Sequence, residues 1–199
     1  MPSTELPLAL LRELLQNSSL EIALKKEWGA EQKTYRQDIR TALSLSLKEN
    51  FANLDERPGS LKKAISISHC PGLGGYASIA KPGCIGFDVE IEDRVQSKIA
   101  ARMATPKEMT DTPSPAHLWV AKEAAYKSLG ESLQPVVLSA VEISEWSQLT
   151  LHDPSTNEAQ IVWKFRAFCL ENSQLANGQG LVFIQKPLIF GLFASSSST

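Results

Sequence analysis

An α+β fold of two helix-plus-strand halves is predicted by three features of the chain. Between Ala30 and Phe51, apolar residues recur at helical period as Tyr35, Ile39, Leu43, Leu47 and Phe51. Apolar and polar residues then alternate through Ala64-Ile65-Ser66-Ile67-Ser68-His69, the period-two pattern of a half-buried strand. The same order, helix signals and then strand signals, returns beyond the junction at Lys81 to Gly86. Residues 1–84 are therefore assigned to an N-terminal lobe, 85–194 to a C-terminal lobe, and 195–199 to a polar tail expected to fray.

The elements follow in order. Leu6 to Leu15 reads as an amphipathic helix, because Arg12 and Glu13 interrupt its apolar run. It is too short to span a bilayer and lacks the basic leader and small-residue cleavage site of a secretory signal, so a cytoplasmic protein is expected. Pro58-Gly59 ends the next helix. After the Ala64–His69 strand, Pro71 to Gly75 reads as a turn. Tyr76–Ala80, Lys81-Pro82-Gly83 and Cys84–Val89 then form strand, turn and strand. Thr105-Pro106-Lys107-Glu108 carries a capping box with proline at the first helical position. Ser114-Pro115 repeats the cap-plus-proline signal, and Gly130 stops the helix that it opens. Val136–Ile143, Ala159–Leu170 and Gly180–Ala194 are predicted strands, linked by turns at Asp153-Pro154 and Asn177-Gly178.

Composition narrows the function. Hydrophobic residues make up 43% and charged residues 21% of the 199 positions, an ordinary globular balance. Twenty basic against twenty-two acidic side chains leave no polycationic footprint, which argues against nucleic acid as a partner. Cys70, Cys84 and Cys169 form no CxxC pair and read as small buried hydrophobes in a reducing compartment. Three histidines are too few for a His-rich zinc site.

Three sets of residues could carry chemistry. Asp88 and Glu90 stand two apart on a predicted strand, so both carboxylates point to one face and can offer oxygens to one hard cation. The preceding Ile85-Gly86-Phe87 argues that another backbone approaches closely there, where a wet surface strand would have no need of glycine. Trp119, Glu123 and Lys127 are spaced by four and stack along one helix face. Read alone, Glu123 and Lys127 would be a surface ion pair; beside Asp88 and Glu90, Glu123 would complete a three-carboxylate cluster that needs a divalent cation or protons to neutralise it. Lys127 would then face phosphate oxygens as a point charge. Ser66-Ile67-Ser68-His69, ending a strand, could donate to a phosphate. Gly72-Leu73-Gly74-Gly75 is followed by a strand, not a helix, and fits no nucleotide-loop fingerprint.

Together these residues resemble the 4′-phosphopantetheinyl transferase superfamily, in its monomeric two-lobe form known from surfactin and enterobactin synthesis. The family's apolar-Gly-apolar-Asp-x-Glu strand reads here Ile85-Gly86-Phe87-Asp88-Val89-Glu90. Its Trp-x-x-Lys-Glu-Ala-x-x-Lys helix reads Trp119-Val120-Ala121-Lys122-Glu123-Ala124-Ala125-Tyr126-Lys127. Ser66 to Cys70 is similar to its upstream Ser-His element, and Arg57-Pro58 loosely resembles a further element, with Glu56 in place of its glycine. The resemblance runs from about Arg57 to Gly130.

The resemblance implies a pseudo-dimer of two helix-plus-antiparallel-sheet lobes, the first shortened. It implies transfer of 4′-phosphopantetheine from coenzyme A to a serine of an apo acyl or peptidyl carrier protein, releasing adenosine 3′,5′-bisphosphate. Asp88, Glu90 and Glu123 would hold Mg²⁺ (or Mn²⁺). Asp88, Glu123 and Lys127 would be catalytic, with Glu123 also the general base. Lys127, His69, Ser68, Lys122 and Arg57 would bind coenzyme A, and Lys33, Arg36 and Arg40 could serve its 3′-phosphate. Asp88 and Glu123 are closer in sequence than in surfactin-type members, which leaves the choice of carrier open. Two other readings compete. A catalytically silent module would bind coenzyme A or a carrier without transfer. A metal-dependent nuclease would need a lysine two residues after a strand acid, whereas Lys127 follows Glu123 by four on a helix.

Overall fold

The computed structural model describes residues 8–47, 62–129, 133–152, 159–169, 175 and 177–195. Arg57, Phe51, Gly130 and the Asp153-Pro154 turn lie outside them. The order is α1 (Leu8–Leu14), β1 (Glu21–Lys25), α2 (Tyr35–Leu47), β2 (Lys63–Cys70), β3 (Leu73–Ala80), β4 (Cys84–Ile91), α3 (Ser97–Ala100), α4 (Pro106–Asp111), α5 (Pro115–Ser128), β5 (Val141–His152), β6 (Ala159–Cys169), β7 (Gly178–Gln185) and β8 (Leu188–Ser195). None of these helices is long and apolar enough to cross a membrane.

The strands make two antiparallel sheets, one of three strands in the order β1-β3-β2 and one of five in the order β4-β8-β7-β6-β5. The fold is thus α+β, with helix and antiparallel sheet in both halves, as expected. Alternation along each strand of the larger sheet divides its residues between two cores. Phe87, Val89, Leu181, Phe183, Phe190 and Leu192 pack toward Leu73, Ala77 and Ile79 of β3 and Leu11 of α1. Val182, Ile189, Phe193 and Phe165 pack on the other side against Leu118, Ala121 and Ala125 of α5. A third, smaller cluster seats Ile39 and Leu43 of α2 against Tyr76 and Trp28.

The helix starts form as the caps dictate. Thr105 and Glu108 close a reciprocal capping box with Pro106 inside the first turn, and the Ser114 hydroxyl accepts the His117 N–H to start α5.

Several boundaries differ from expectation. The turn after β2 is confined to Pro71-Gly72, where Gly72 takes a φ of +80° that favours glycine, and β3 begins at Leu73. Gly74 and Gly75 are strand residues because Trp28 and Ala23 press against them: a Cβ at Gly74 would fall 2.0 Å from the Trp28 carbonyl oxygen. The single strand expected over Gly180–Ala194 is a hairpin, β7 and β8, folded at Lys186-Pro187. β5 starts only at Val141 and continues to His152, with a bulge between Ser144 and Ser147. Ser195, assigned to the fraying tail, is buried and pairs with Cys84 and Gly178.

Candidate active site

Two glycines set the distance between helix α5 and the sheet. A Cβ on Gly86 would lie 1.7 Å from the Ala124 carbonyl oxygen, and one on Gly191 would lie 2.4 Å from that of Val120. Real side chains do not approach so closely, so the backbone of α5 rests directly on β4 and β8. Asp88 pairs with Gly191 across β4 and β8, and Gly86, Asp88 and Glu90 share the face turned toward the helix. The close approach inferred from Gly86 is therefore present, and it brings Glu123 and Lys127 beside Asp88.

β4 is an edge strand of its sheet, and serines of β2 serve its free backbone groups. Ser66 Oγ accepts from the Phe87 N–H at 2.9 Å and Ser68 Oγ accepts from the Val89 N–H at 3.3 Å. Ser68 Oγ also donates to Asp88 Oδ1 at 2.7 Å. Lys127 Nζ donates to the same Oδ1 at 2.6 Å and to Ser68 Oγ at 3.2 Å. Glu123 Oε2 stands 3.9 Å from Lys127 Nζ. Residues from β2, β4 and α5 thus form one polar network, with Asp88 and Ser68 almost fully buried.

Burial and neighbouring charge shift two titratable groups at the network. Burial raises the pKa of the Glu123 carboxyl; Lys127 opposes the rise and Asp88 adds to it. Burial lowers the pKa of the His69 imidazole, helped by the charges of Lys127 and Arg36, so the ring is neutral at pH 7. Tyr35 of α2 packs edge-on to His69 with centroids 4.2 Å apart, and Tyr35 Oη accepts from Arg36 Nε at 2.8 Å. The buried His69 Nδ1 has no hydrogen-bond partner among the described residues. A buried ring nitrogen left open is an invitation to a polar ligand.

Asp88, Glu90 and Glu123 offer hard carboxylate oxygens, the donor chemistry that suits Mg²⁺. Their side chains do not meet at one point, however: no group of three or more His, Cys, Asp or Glu able to hold a metal is found among the described residues. The Lys127 ammonium lies between Asp88 and Glu123. Glu90 turns back to accept from the Ile91 N–H at 2.8 Å and stands 3.9 Å from Arg94.

Lys122 departs from its expected place. It is 1% exposed, 2.7 Å from Glu108 Oε1, and donates to the Val141 carbonyl. It therefore reaches neither the Asp88 network nor solvent, and the expectation that it binds coenzyme A is corrected. The sequence holds a signal of this: Lys122 follows Leu118 by four and precedes Ala125 by three, on the buried stripe of α5. Sequence reasoning misses one neighbour of the site, Tyr35 against His69, and one buried partner outside it, Glu108 beneath Lys122. In the sequence they read only as a helix stripe and a cap. Cys70 and Cys169 are buried, as expected of small apolar side chains, while Cys84 is half-buried; desolvation pushes the Cys70 thiol up to about 12.

Residues 84–176 match the family model of the 4′-phosphopantetheinyl transferase superfamily. The match begins on β4 and takes in α5, β5 and β6, so both signature elements lie inside it, while the serines of β2 lie before it. No individual curated protein matches the chain.

Proposed function

We propose, for a chain whose residues 84–176 match the model of the 4′-phosphopantetheinyl transferase superfamily, that it moves the 4′-phosphopantetheine arm of coenzyme A onto a serine of an apo acyl or peptidyl carrier protein. The products are the holo carrier protein and adenosine 3′,5′-bisphosphate. The observation that carries this reading is the joining of Ser68, Asp88, Lys127 and Glu123 in one network, from three elements far apart in sequence.

Phosphoryl transfer asks the protein chiefly for positioning and for charge to offset the phosphate oxygens. Lys127, partly exposed beside Asp88, supplies positive charge for the pyrophosphate. His69, neutral and with an unpartnered ring nitrogen, offers a hydrogen bond to a phosphate oxygen, and Arg36 beside it adds charge. Glu123 takes the proton of the carrier serine hydroxyl; its raised pKa makes the carboxylate a stronger base than an ordinary glutamate. Asp88, Glu90 and Glu123 have the oxygen chemistry to hold Mg²⁺ once Lys127 leaves Asp88 and Glu90 releases the Ile91 N–H, and the ion would supply positive charge to the pyrophosphate oxygens. Ser68 has less to give a ligand than expected. Its one proton goes to Asp88, and its lone pairs face the Val89 N–H and Lys127. Its role is to hold Asp88 in place.

Mass spectrometry of an apo carrier protein incubated with coenzyme A, Mg²⁺ and this chain is expected to show a gain of one phosphopantetheine. An Asp88→Asn variant is expected to lose at least about a hundredfold in rate. A panel of acyl and peptidyl carriers that all remain apo would overturn the reading.

A further inference from the structure

The buried pair formed by Lys122 and Glu108 belongs to no part of the chemistry described above, although Lys122 is the immediate neighbour of Glu123. Its burial is nearly complete on both sides, 1% and 5% exposed, at 2.7 Å. Both side chains also tie other elements together. Glu108 Oε2 accepts from the Thr105 N–H at 2.8 Å and closes the start of α4. Glu108 Oε1 accepts from the Ile143 N–H at 2.8 Å on β5. Lys122 Nζ donates to the Val141 carbonyl at the start of the same strand. One ion pair therefore joins α4, α5 and β5 at the middle of the helix that carries Glu123 and Lys127.

Stability alone does not account for such a pair, because well-packed apolar residues of similar volume hold a core as well or better. Location is what an ion pair adds, since its hydrogen bonds are satisfied in one register only. The glycine contacts at Gly86 and Gly191 fix how near α5 comes to the sheet, but a smooth seat of this kind resists sliding and rotation poorly. A slip of one residue would move Glu123 by about 1.5 Å along the axis and swing it about 100° around it. Displacements of about 1 Å cost roughly a hundredfold in rate at a reacting centre.

We infer that Glu108 and Lys122 are positioning residues: their buried ion pair pins the rotation and axial register of α5, and so holds Glu123 and Lys127 against Asp88. The inference rests on the transfer reading for its kinetic consequence but not for its structural one, and the two are tested separately.

The test uses the full chain in three forms: wild type, Glu108→Asp, and the double variant Glu108→Leu with Lys122→Met. Glu108→Asp keeps both charges and shortens the reach by one methylene, so it serves even if the double variant fails to fold. The first measurement needs no activity. The Lys127 ammonium, bonded to Asp88 and Ser68, gives a protected signal in ¹⁵N-edited spectra, and in both variants this signal is expected to shift and to exchange faster with water. The second measurement is single-turnover transfer at about 20 °C, well below melting. The rate constant is expected to fall about 10- to 100-fold, while affinity for coenzyme A weakens less than in Lys127→Ala, which loses the ammonium altogether. The double variant is expected to melt within a few degrees of wild type. A wild-type ammonium signal in both variants, or a wild-type rate constant in a folded variant, would overturn the inference. A wild-type chain that transfers nothing overturns only the functional reading, because the ammonium spectrum still decides the positioning role.

Discussion

Glu123 and Lys127 stand one helical turn apart, and on an open helix such a pair would contribute only about 0.3–0.5 kcal/mol. Two features remove them from that class. Lys127 Nζ lies nearer to Asp88, at 2.6 Å, than to Glu123, at 3.9 Å, so the lysine is shared across two elements. Burial, besides, raises the Glu123 pKa despite the lysine. A raised carboxyl contributes its stability below the unfolded pKa and loses it as pH climbs through the folded value. Ionising Glu123 is thus a cost to the fold, and Glu123→Gln is expected to leave the melting temperature unchanged or slightly higher. Its transfer rate should nevertheless fall by about a hundredfold or more on the proposal that Glu123 is the proton acceptor. Lys127→Ala should behave differently, weakening coenzyme A binding in calorimetry as well as slowing single-turnover transfer. Two variants of wild-type rate and affinity would reduce the helix motif to surface decoration.

At the scale of elements, the site depends on a helix lying against sheet backbone. Gly86→Ala places a methyl 1.7 Å from the Ala124 carbonyl, where neither partner is a flexible side-chain end. The helix must lift, and a loss of about 2–4 kcal/mol is expected in urea unfolding, with a falling transfer rate even in the fraction that remains folded. A Gly86→Ala chain of wild-type stability would refute the close seating. This contact is legible in the sequence because a glycine weakens an apolar strand unless an approaching backbone needs the room. The helix caps are legible for a similar reason, since caps are local. Elsewhere, tertiary contacts override local pattern. No local pattern marks β1, at Glu21–Lys25: its side chains are half-buried or exposed, and its place depends on pairing with β3. Gly74 and Gly75 carry a turn signature but are strand glycines pressed by Trp28 and Ala23. Lys186-Pro187 interrupts a run of apolar residues with the pattern of one strand, and the chain folds back there into two. For Lys122, the position on a helix face decides its surroundings, against what its position in a motif implies.

The whole molecule stands or falls with cores on both sides of one sheet, and a buried histidine links one of them to pH. His117 lies in the first turn of α5, with its ring edge-on to Trp146 and Trp163 and Nδ1 2.8 Å from Ser114 Oγ. Burial lowers its pKa from 6.5 to about 4, because no acid among the described residues compensates a charge on the ring. The folded protein therefore resists protonating a group that the unfolded chain protonates freely below about pH 6.5. The stability attached to His117 is fully present above the unfolded pKa and is lost as pH falls toward the folded one. Over that window the loss should reach roughly 2–3 kcal/mol, a large share of the margin of an ordinary domain. Urea unfolding at about pH 7 and about pH 4.5 should show the wild type weakening by about this amount. His117→Gln, which does not titrate, should start less stable at neutral pH for want of its ring contacts but decline less on acidification. Because α5 also carries Glu123 and Lys127, acid should loosen the active site together with the core, so transfer lost below about pH 5 should return on neutralisation as the native fold returns. If the two chains lost equal stability across that interval, the acid sensitivity would lie in the carboxylates and not in His117.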